Sequence, residues 1–244
     1  MRLLITRPAA NAAVLAEKLA AQGHNIIISP VIEIFPTETP LPESADAFAA
    51  LALTSANGVH ALAARCLNDQ ALRSAWQSLP AYAVGPQTAA TLKAYGWPRI
   101  MQADGDVESL ASLIIGNISS PEKPILHIAG RDRAGNLQAA LAAENIACDL
   151  AMLYEAEPAE VLSPAAEAAL SDAEEPIDGV LIYSQRSARL FIELSAGLSM
   201  VQKPMAFCLS PAIAEIMQAA GFDTRTAAHA EEASMLVLTK QAPS

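Results

Sequence analysis

The sequence is poor in positive charge, which excludes some classes of function. Of its 244 residues, 15 are Lys or Arg and 26 are Asp or Glu, giving a formal net charge of −11 at pH 7. Sequence-independent binding of nucleic acid needs a basic surface, and so does docking on anionic lipid, so both are disfavoured. An acidic small-molecule ligand is still allowed, because a local group of arginines and backbone amides can outweigh the global charge.

Cysteine, clustered histidine and long apolar segments are also scarce. The three cysteines are far apart and outside any CxxC spacing, which is typical of reduced thiols in a cytosolic protein. They are Cys66, Cys148 and Cys208. The four histidines form no cluster, so we expect no metal site. The absence of a run of about 20 apolar residues, and of a signal-type apolar core after Met1, predicts a cytoplasmic protein without a membrane segment.

Motifs of several large enzyme classes are missing as well. No GxGxxG follows the first strand, so a Rossmann dinucleotide site is unsupported, and no GxxxxGK[ST] marks a P-loop. No GxSxG nucleophile elbow is present either. The chain nevertheless has 52% hydrophobic residues and a mean hydropathy of +0.28, which supplies enough apolar surface for a folded core.

Short β-rich apolar runs alternate with helical patterns along the chain. Residues 3–6 are strand-like, a helix through Leu15 and Leu19 ends at Gly23, and residues 26–29 form the next strand-like run. Such alternation predicts an α/β fold of parallel sheets flanked by helices. The length suits two domains of about 120 residues each.

The alternation also repeats internally. Leu15 aligns with Leu137 at an offset of 122 residues, and Ser55 aligns with Ser184 at an offset of 129. Identity between the halves is low, but the order and spacing of strands, glycines and prolines agree. We therefore predict two similar domains. Two like domains facing each other would form a cleft, which is a favoured place for a ligand.

Two extended runs near prolines resemble connectors rather than strands that lead into helices. They cover residues 31–38 and 150–158. If these runs pair, residues 1–34 and 157–244 form a discontinuous domain from both chain ends, and residues 38–150 form an inserted domain. We predict this arrangement, with the two runs as a two-stranded linker.

Polar residues follow many of the predicted strands. Ligands of open parallel sheets bind outside the carboxyl ends of the strands, where helix N-termini offer N–H groups to anions. A Ser or Thr there is also an ordinary helix cap, so both roles stay open. Arg131 can bind an anion or form a surface pair, and Tyr154 can be a core residue or expose its hydroxyl. The polar groups are Thr6-Arg7, Thr54-Ser55, Gly85-Pro86-Gln87-Thr88, Gly130-Arg131, Ser184-Gln185-Arg186-Ser187 and Ser210-Pro211.

Together these segments resemble the uroporphyrinogen-III synthase family over essentially the whole chain. The resemblance rests on Ile5-Thr6-Arg7-Pro8, Leu53-Thr54-Ser55-Ala56-Asn57-Gly58, Val84-Gly85-Pro86-Gln87-Thr88-Ala89, Asp106-Val107-Glu108-Ser109-Leu110, Leu153-Tyr154-Glu155 and Tyr183-Ser184. It implies a two-domain α/β fold and an enzyme of haem biosynthesis that needs no cofactor. In that reaction the linear tetrapyrrole hydroxymethylbilane loses water and closes to uroporphyrinogen III. Ring D is inverted through a spiro intermediate.

The resemblance also implies roles for individual residues. Tyr154 matches the family tyrosine that assists departure of the substrate hydroxyl, as an acid or as a hydrogen-bond donor. Arg7 matches the family arginine after the first strand. The residues matching family positions that contact the tetrapyrrole are Thr54, Ser55, Gly85, Thr88, Ser184 and Ser210. We add Arg131, Gln185 and Arg186 as candidate substrate-binding residues.

The implied substrate carries eight carboxylates, so an acidic protein must hold it with local amides, hydroxyls and a few arginines. We expect a cyclising hydro-lyase that acts as a monomer and makes transient contact with hydroxymethylbilane synthase. Two alternatives stay open. One is a non-catalytic duplicated α/β module that binds an anionic small molecule, and the other is an enzyme acting on a sugar phosphate or a nucleotide.

Overall fold

Residues 1–118, 122–132 and 135–240 are described by a computed structural model. The chain divides into two compact units. Unit 1 comprises Met1–Glu33 and Glu157–Ser244, and unit 2 comprises Ile34–Ala156. Within the described residues, no helix is both long and apolar enough to cross a membrane.

Strands and helices alternate along the chain. In order they are β1 (Arg2–Ile5), α1 (Ala9–Ala20), β2 (Asn25–Ile28), β3 (Ile32–Pro36), β4 (Ala50–Leu53), α2 (Ala56–Arg65), α3 (Gln70–Gln77), β5 (Ala81–Ala83), α4 (Pro86–Ala94), β6 (Ile100–Gln102), α5 (Val107–Asn117), β7 (Ile125–Gly130), α6 (Leu137–Ala142), β8 (Cys148–Pro158), α7 (Pro164–Leu170), β9 (Gly179–Ile182), α8 (Gln185–Ser195), β10 (Met205–Cys208), α9 (Pro211–Ala219), β11 (Thr224–Thr226) and α10 (Glu232–Lys240). A short 3-10 turn at Ala45–Ala47 precedes β4.

Each unit contains one sheet whose strands are largely parallel. The unit 1 sheet has five parallel strands in the order β2-β1-β9-β10-β11. The unit 2 sheet has six strands in the order β3-β8-β7-β4-β5-β6, and the five from β8 to β6 are parallel. The predicted α/β fold with parallel sheets flanked by helices is confirmed.

The two sheets have the same spatial plan when the strands are matched by the sequence repeat. The series β8-β7-β4-β5-β6 in unit 2 corresponds to β2-β1-β9-β10-β11 in unit 1. In both, the chain order reverses at one place, between β7 and β4 in unit 2 and between β1 and β9 in unit 1. Such a topological switch point is where open α/β sheets bind ligands, outside the carboxyl ends of the strands.

Helix ends repeat between the units too. Helices α4 and α9 both begin with proline and both end before a glycine of positive φ, Gly96 at +87° and Gly221 at +80°. In each case the N–H of the following residue, Trp97 or Phe222, donates to a carbonyl five residues earlier. This hydrogen bond satisfies a helix-end carbonyl, and the left-handed conformation costs glycine little.

Apolar residues cover both faces of each sheet, as a parallel sheet flanked by helices requires. In unit 2, Leu51 and Leu53 pack into one cluster of buried residues, and Ala50 and Ala52, which alternate with them, pack into another. The unit 1 sheet likewise contributes to two clusters. Each fully buried leucine contributes roughly 1.5–3 kcal/mol to folding, so the two faces together hold the strands in register.

Strand β8 is longer than the others and has β3 beside it. Its first part, as far as Tyr154, pairs with β7, and the strand continues to Pro158. The Thr37 N–H donates to the Leu153 carbonyl at 3.1 Å, and the Ala159 N–H donates to the Val31 carbonyl at 3.1 Å. The linker role and the domain bounds expected for these segments stay predictions.

Candidate functional site

The carboxyl ends of β4, β5, β7 and β8 lie at one edge of the unit 2 sheet, because these strands are parallel. We call this edge the unit 2 edge. The candidate residues in the segments that follow β4, β5 and β7 are Thr54, Ser55, Gly85, Thr88 and Arg131, and Tyr154 lies within β8 where its pairing with β7 ends. The switch point between β4 and β7 is on the same edge. The residues predicted from the sequence therefore lie where the sheet topology also predicts a ligand.

Tyr154 is one of the buried candidates on this edge. It is 7% exposed, and its ring lies directly against the backbone of Gly130 at the end of β7. A Cβ atom on Gly130 would lie 2.7 Å from Cε2 and 2.8 Å from Cζ of Tyr154. Only glycine therefore leaves room for the phenol in this position.

A β-bulge directs the Tyr154 side chain over β7. Ala129 is opposite Met152, but the next residue, Gly130, is opposite Tyr154, so Leu153 is the extra residue. Leu153 keeps its place in the core and is fully buried. A bulge of this kind re-aims the side chain beside it, and here it lets two successive side chains, Leu153 and Tyr154, both be buried.

The surroundings of the Tyr154 hydroxyl keep it protonated at neutral pH. Burial raises the pKa of Tyr154 above its ordinary value of 10.0, while hydrogen bonding with the Ser55 side chain and the Gly130 backbone opposes part of that shift. A buried phenol of raised pKa can donate a hydrogen bond or a proton at pH 7. Ser55 also caps α2, its side chain accepting from the Asn57 N–H at 3.0 Å.

Thr54, next to Ser55, is hydrogen-bonded to a buried histidine that the sequence analysis did not include among the candidates. The Thr54 Oγ1 lies 3.2 Å from Nε2 of His127, and Nδ1 of His127 lies 3.1 Å from Nε2 of Gln138. His127 is 3% exposed in the middle of β7. A polar residue inside an apolar strand is the signal that could have identified it, because buried polar groups are hydrogen-bonded.

Gly85 and Thr88 belong to the start of α4. Gly85 is the N-cap residue, and a Cβ atom there would lie 3.3 Å from the Cα of Gly105, so the two backbones approach closely. Thr88 is buried on the same helix face as Leu92. Their contact with a substrate stays a prediction.

Arg131 forms a surface ion pair. Its Nη1 lies 2.6 Å from Oε2 of Glu155, and the Arg131 side chain is 67% exposed. Its backbone N–H donates to the Tyr154 carbonyl at 3.0 Å, which fixes the end of the β7–β8 pairing. A surface ion pair is one of the two roles that the sequence left open for Arg131. Because an exposed ion pair is weak in water, the guanidinium can exchange Glu155 for another anionic partner.

The carboxyl edge of the unit 1 sheet, called here the unit 1 edge, includes the other five candidates, of which Arg7 is described in the next paragraph. Ser184 caps α8, its side chain accepting from the Ser187 N–H at 3.0 Å. Gln185 and Arg186 lie in the first turn of that helix. Ser210 precedes α9 and is half-buried, and its side chain makes no capping hydrogen bond.

Arg7 on the unit 1 edge is held in a charged cluster. Its Nη1 lies 2.8 Å from Oε2 of Glu232, and its Cζ lies 4.4 Å from the ring centroid of Tyr183. The other oxygen of Glu232 is 2.6 Å from Nζ of Lys18. Arg7 is 9% exposed, so its charge is largely desolvated and depends on these partners. The sequence offered no local signal for Glu232, which is 225 residues from Arg7.

Potential metal ligands do not gather at either edge. Among residues 1–118, 122–132 and 135–240, no group of three or more His, Cys, Asp or Glu side chains could hold a metal ion. The polar groups of the unit 2 edge include hydroxyls, backbone amides, a phenol and an imidazole. This set suits hydrogen bonding to anions and proton donation.

Comparisons with known proteins connect this geometry to one family. The family model of Uroporphyrinogen-III synthase HemD matches residues 13–237, which is most of the chain. No curated protein matches the chain significantly in a sequence search.

Solved structures give the same fold. The uroporphyrinogen-III synthetase from Helicobacter pylori matches with a TM-score of 0.63 and 19% identity, over 98% of this chain and 98% of that chain. A mutant uroporphyrinogen III synthase from Thermus thermophilus matches with a TM-score of 0.52 and 17% identity, over 98% of this chain and 96% of that chain. The family match supports the synthase hypothesis and not the non-catalytic binding module. The chain belongs to the uroporphyrinogen-III synthase family.

Proposed function

We propose that the protein is a cyclising hydro-lyase that converts hydroxymethylbilane to uroporphyrinogen III with inversion of ring D. The observation that carries the proposal is the enclosed phenol of Tyr154 at the switch point of unit 2, in a chain of this family. The phenol has a raised pKa and is hydrogen-bonded with the hydroxyl of Ser55, so it is a protonated donor at the carboxyl edge of the sheet.

Tyr154 donates its proton to the substrate hydroxyl as the bond from carbon to that oxygen breaks. The hydroxyl leaves as water, and the tetrapyrrole keeps the positive charge as a protonated azafulvene. Because burial favours the neutral phenol, the proton is present at pH 7 and is available for this step. Closure of the macrocycle later releases one proton from a pyrrole carbon, which restores the phenol, so water is the only other product.

Ring inversion requires control of conformation more than further acid–base chemistry. The terminal pyrrole attacks the azafulvene through its substituted carbon, giving a spiro intermediate that fragments and recloses. Spontaneous closure without inversion competes with this path. The protein must therefore hold the chain of four pyrroles in the conformation that favours attack at the substituted carbon.

Neutral donors and a few arginines hold the substrate carboxylates. On the unit 2 edge we assign this binding to Thr54, Ser55, Gly85, Thr88 and Arg131, and on the unit 1 edge to Arg7, Ser184, Gln185, Arg186 and Ser210. Helix N-termini and hydroxyls bind carboxylates without adding net charge, which suits a chain of net charge −11. Arg7 and Arg131 each already hold a carboxylate, Glu232 or Glu155, and so each offers a site that a substrate carboxylate can share or replace.

The remaining parts of the proposal are the expectations drawn from the sequence and from the family resemblance. The enzyme works without a cofactor, acts as a monomer in the cytoplasm, and receives hydroxymethylbilane in transient contact with hydroxymethylbilane synthase. Each part can be tested separately from the reaction itself.

A coupled assay tests the reaction directly. Hydroxymethylbilane is generated in situ, the purified protein is added, and the oxidised products are resolved into type I and type III porphyrins. We expect a shift from type I to type III that needs no added metal or nucleotide. Type I product alone, from protein that is folded by circular dichroism, would overturn the proposal.

A further inference from the structure

We propose that His127 is a positioning residue, which sets the direction of the Thr54 hydrogen bond so that the Thr54 hydroxyl acts as a donor to a substrate carboxylate. This inference rests on the proposed function, and it adds to it a residue that touches no substrate. Three groups from different elements take part: Thr54 after β4, His127 in β7 and Gln138 in the first turn of α6.

The geometry is a chain of two hydrogen bonds. Nδ1 of His127 is 3.1 Å from Nε2 of Gln138, and Nε2 of His127 is 3.2 Å from Oγ1 of Thr54. The imidazole is 3% exposed, so water does not replace either partner easily. Thr54 is half-buried at the switch point, next to Ser55, so one end of the chain reaches the candidate site.

The chemistry of the groups fixes the direction of both bonds. An amide nitrogen has hydrogens to give and no free lone pair, so Gln138 donates and Nδ1 of His127 accepts. An imidazole that accepts at Nδ1 carries its hydrogen on Nε2, so it donates to Thr54 Oγ1. The Thr54 oxygen is then an acceptor inside the protein, and its own hydrogen is directed to another partner.

The neighbouring hydroxyl of Ser55 already has partners within the protein. It accepts from the Asn57 N–H, and it is also hydrogen-bonded with the Tyr154 phenol. Thr54 is therefore the hydroxyl of this pair whose hydrogen we assign to the substrate. Such a donor suits an anionic group and disfavours a donor group, because the Thr54 oxygen already accepts a hydrogen bond within the protein.

The tautomer of His127 can be observed in the free protein. In long-range 1H–15N spectra of protein labelled at histidine, we expect His127 to carry its ring hydrogen on Nε2 with a bare Nδ1. A hydrogen on Nδ1 would overturn the inference. This measurement does not depend on the reaction, so it stays valid if the coupled assay yields only type I product.

Kinetics of two variants test the consequence for Thr54. His127→Leu removes the donor, and we expect the KM for hydroxymethylbilane to rise about 3- to 10-fold with little change in kcat, as for loss of one uniform binding interaction. His127→Gln keeps a side-chain N–H on a flexible stem and should recover at least half of that loss. Thermal unfolding of both variants accompanies the assay.

A double-mutant cycle separates positioning from a merely structural role. In the Thr54→Val background there is no hydroxyl to orient, so His127→Leu should raise the KM no further. An equal rise of the KM in both backgrounds would overturn the inference, as would a KM unchanged by His127→Leu alone. Wild-type protein that forms type III product in the same series shows that such a failure belongs to this inference and not to the proposed function.

Discussion

The edges of the two sheets share a backbone plan and differ in the side chains placed on it. In each sheet a serine shortly after the strand at the switch point caps the next helix, Ser55 in unit 2 and Ser184 in unit 1. In each sheet the following strand leads to a helix that begins with proline and ends before a left-handed glycine. These features are imposed by the geometry of helix ends, which is the same in both units.

The residues beside the two serines differ in charge. Thr54 precedes Ser55 and bonds the imidazole of His127, whereas Tyr183 precedes Ser184 and lies under the guanidinium of Arg7. The unit 2 edge therefore groups uncharged donors around a phenol and has its ion pair, Arg131–Glu155, exposed to water, whereas the unit 1 edge contains a desolvated ion pair. The comparison teaches that a repeated backbone can supply two different kinds of chemistry, because the backbone fixes positions and not the groups that occupy them.

The strongest test of this contrast is removal of the phenol from the unit 2 edge. Tyr154→Phe should lower kcat about 10- to 1000-fold, since one catalytic donor is lost. The phenyl ring still packs on Gly130, so thermal unfolding should change little. Tyr82→Phe is the matched control, because Tyr82 is also buried in unit 2, at 3% exposure, and has no role in the proposed reaction. Unchanged turnover of Tyr154→Phe would remove the phenol from the mechanism.

Displacing the same ring without removing its hydroxyl should have the next largest effect. In Gly130→Ala the new Cβ would lie 2.7 Å from the Tyr154 ring, so the phenol must move. We expect kcat to fall about 10- to 100-fold and the free energy of unfolding to fall by about 1–3 kcal/mol.

The control for that variant is a glycine with free space around it. A Cβ on Gly116 in α5 would meet no atom within 4 Å. Gly116→Ala should keep full turnover and raise the free energy of unfolding by up to about 1 kcal/mol, the helix-propensity difference. Equal turnover of Gly130→Ala and Gly116→Ala would show that the position of the phenol is unimportant.

Removing the two capping serines compares the edges directly. Ser55→Ala and Ser184→Ala should each lower the free energy of unfolding by about 1 kcal/mol, because each loses a helix cap. Ser55 is hydrogen-bonded with Tyr154, so Ser55→Ala should also lower kcat, by about 3- to 10-fold, and Ser184→Ala should not. Both variants are measured by urea unfolding and by the coupled assay. If Ser55→Ala and Ser184→Ala lowered kcat equally, the proposed distinction between the two edges would be wrong.

The last test concerns the ion pairs, and its expected effect is on the free energy of unfolding. Glu232→Gln in unit 1 removes the partner of a guanidinium whose side chain is 10% exposed, and should cost about 1–3 kcal/mol of unfolding free energy. Glu155→Gln in unit 2 removes the partner of Arg131, which is 67% exposed, and should cost under about 1 kcal/mol. Urea unfolding at low salt distinguishes the two variants. A larger loss of unfolding free energy for Glu155→Gln than for Glu232→Gln would show that the ion pair that stabilises the fold more is the one in unit 2.

Features set by local chain geometry could be predicted from the sequence. The glycines Gly96 and Gly221 end helices, and Ser55 and Ser184 begin them, because these residue types satisfy helix-end groups within a few positions. The alternation of short apolar runs with helical patterns likewise predicted parallel sheets. None of these inferences needed knowledge of which distant segments meet.

Contacts between distant segments could not be predicted in the same way. The approach of Tyr154 to Gly130 depends on a one-residue shift in the pairing of β7 with β8, and the sequence does not mark where that bulge falls. The run predicted as a connector also pairs with β7 as far as Tyr154. The Arg7–Glu232 pair joins residues near opposite ends of the sequence, and many acidic residues were equally plausible partners.

The discontinuity of unit 1 has a consequence for folding during synthesis. Strand β1 pairs with β9, where Leu3 is opposite Gly179, whereas unit 2 is one continuous segment, Ile34–Ala156. At a translation rate of about 5–20 residues per second, β1 and β2 wait on the order of ten seconds for their central neighbour. During that time their apolar residues lack the neighbours that bury them in the folded unit, and the continuous segment of unit 2 is completed at Ala156, before β9 has been made. The first 33 residues are therefore the part of the chain most exposed to chaperones and to misassembly on the ribosome.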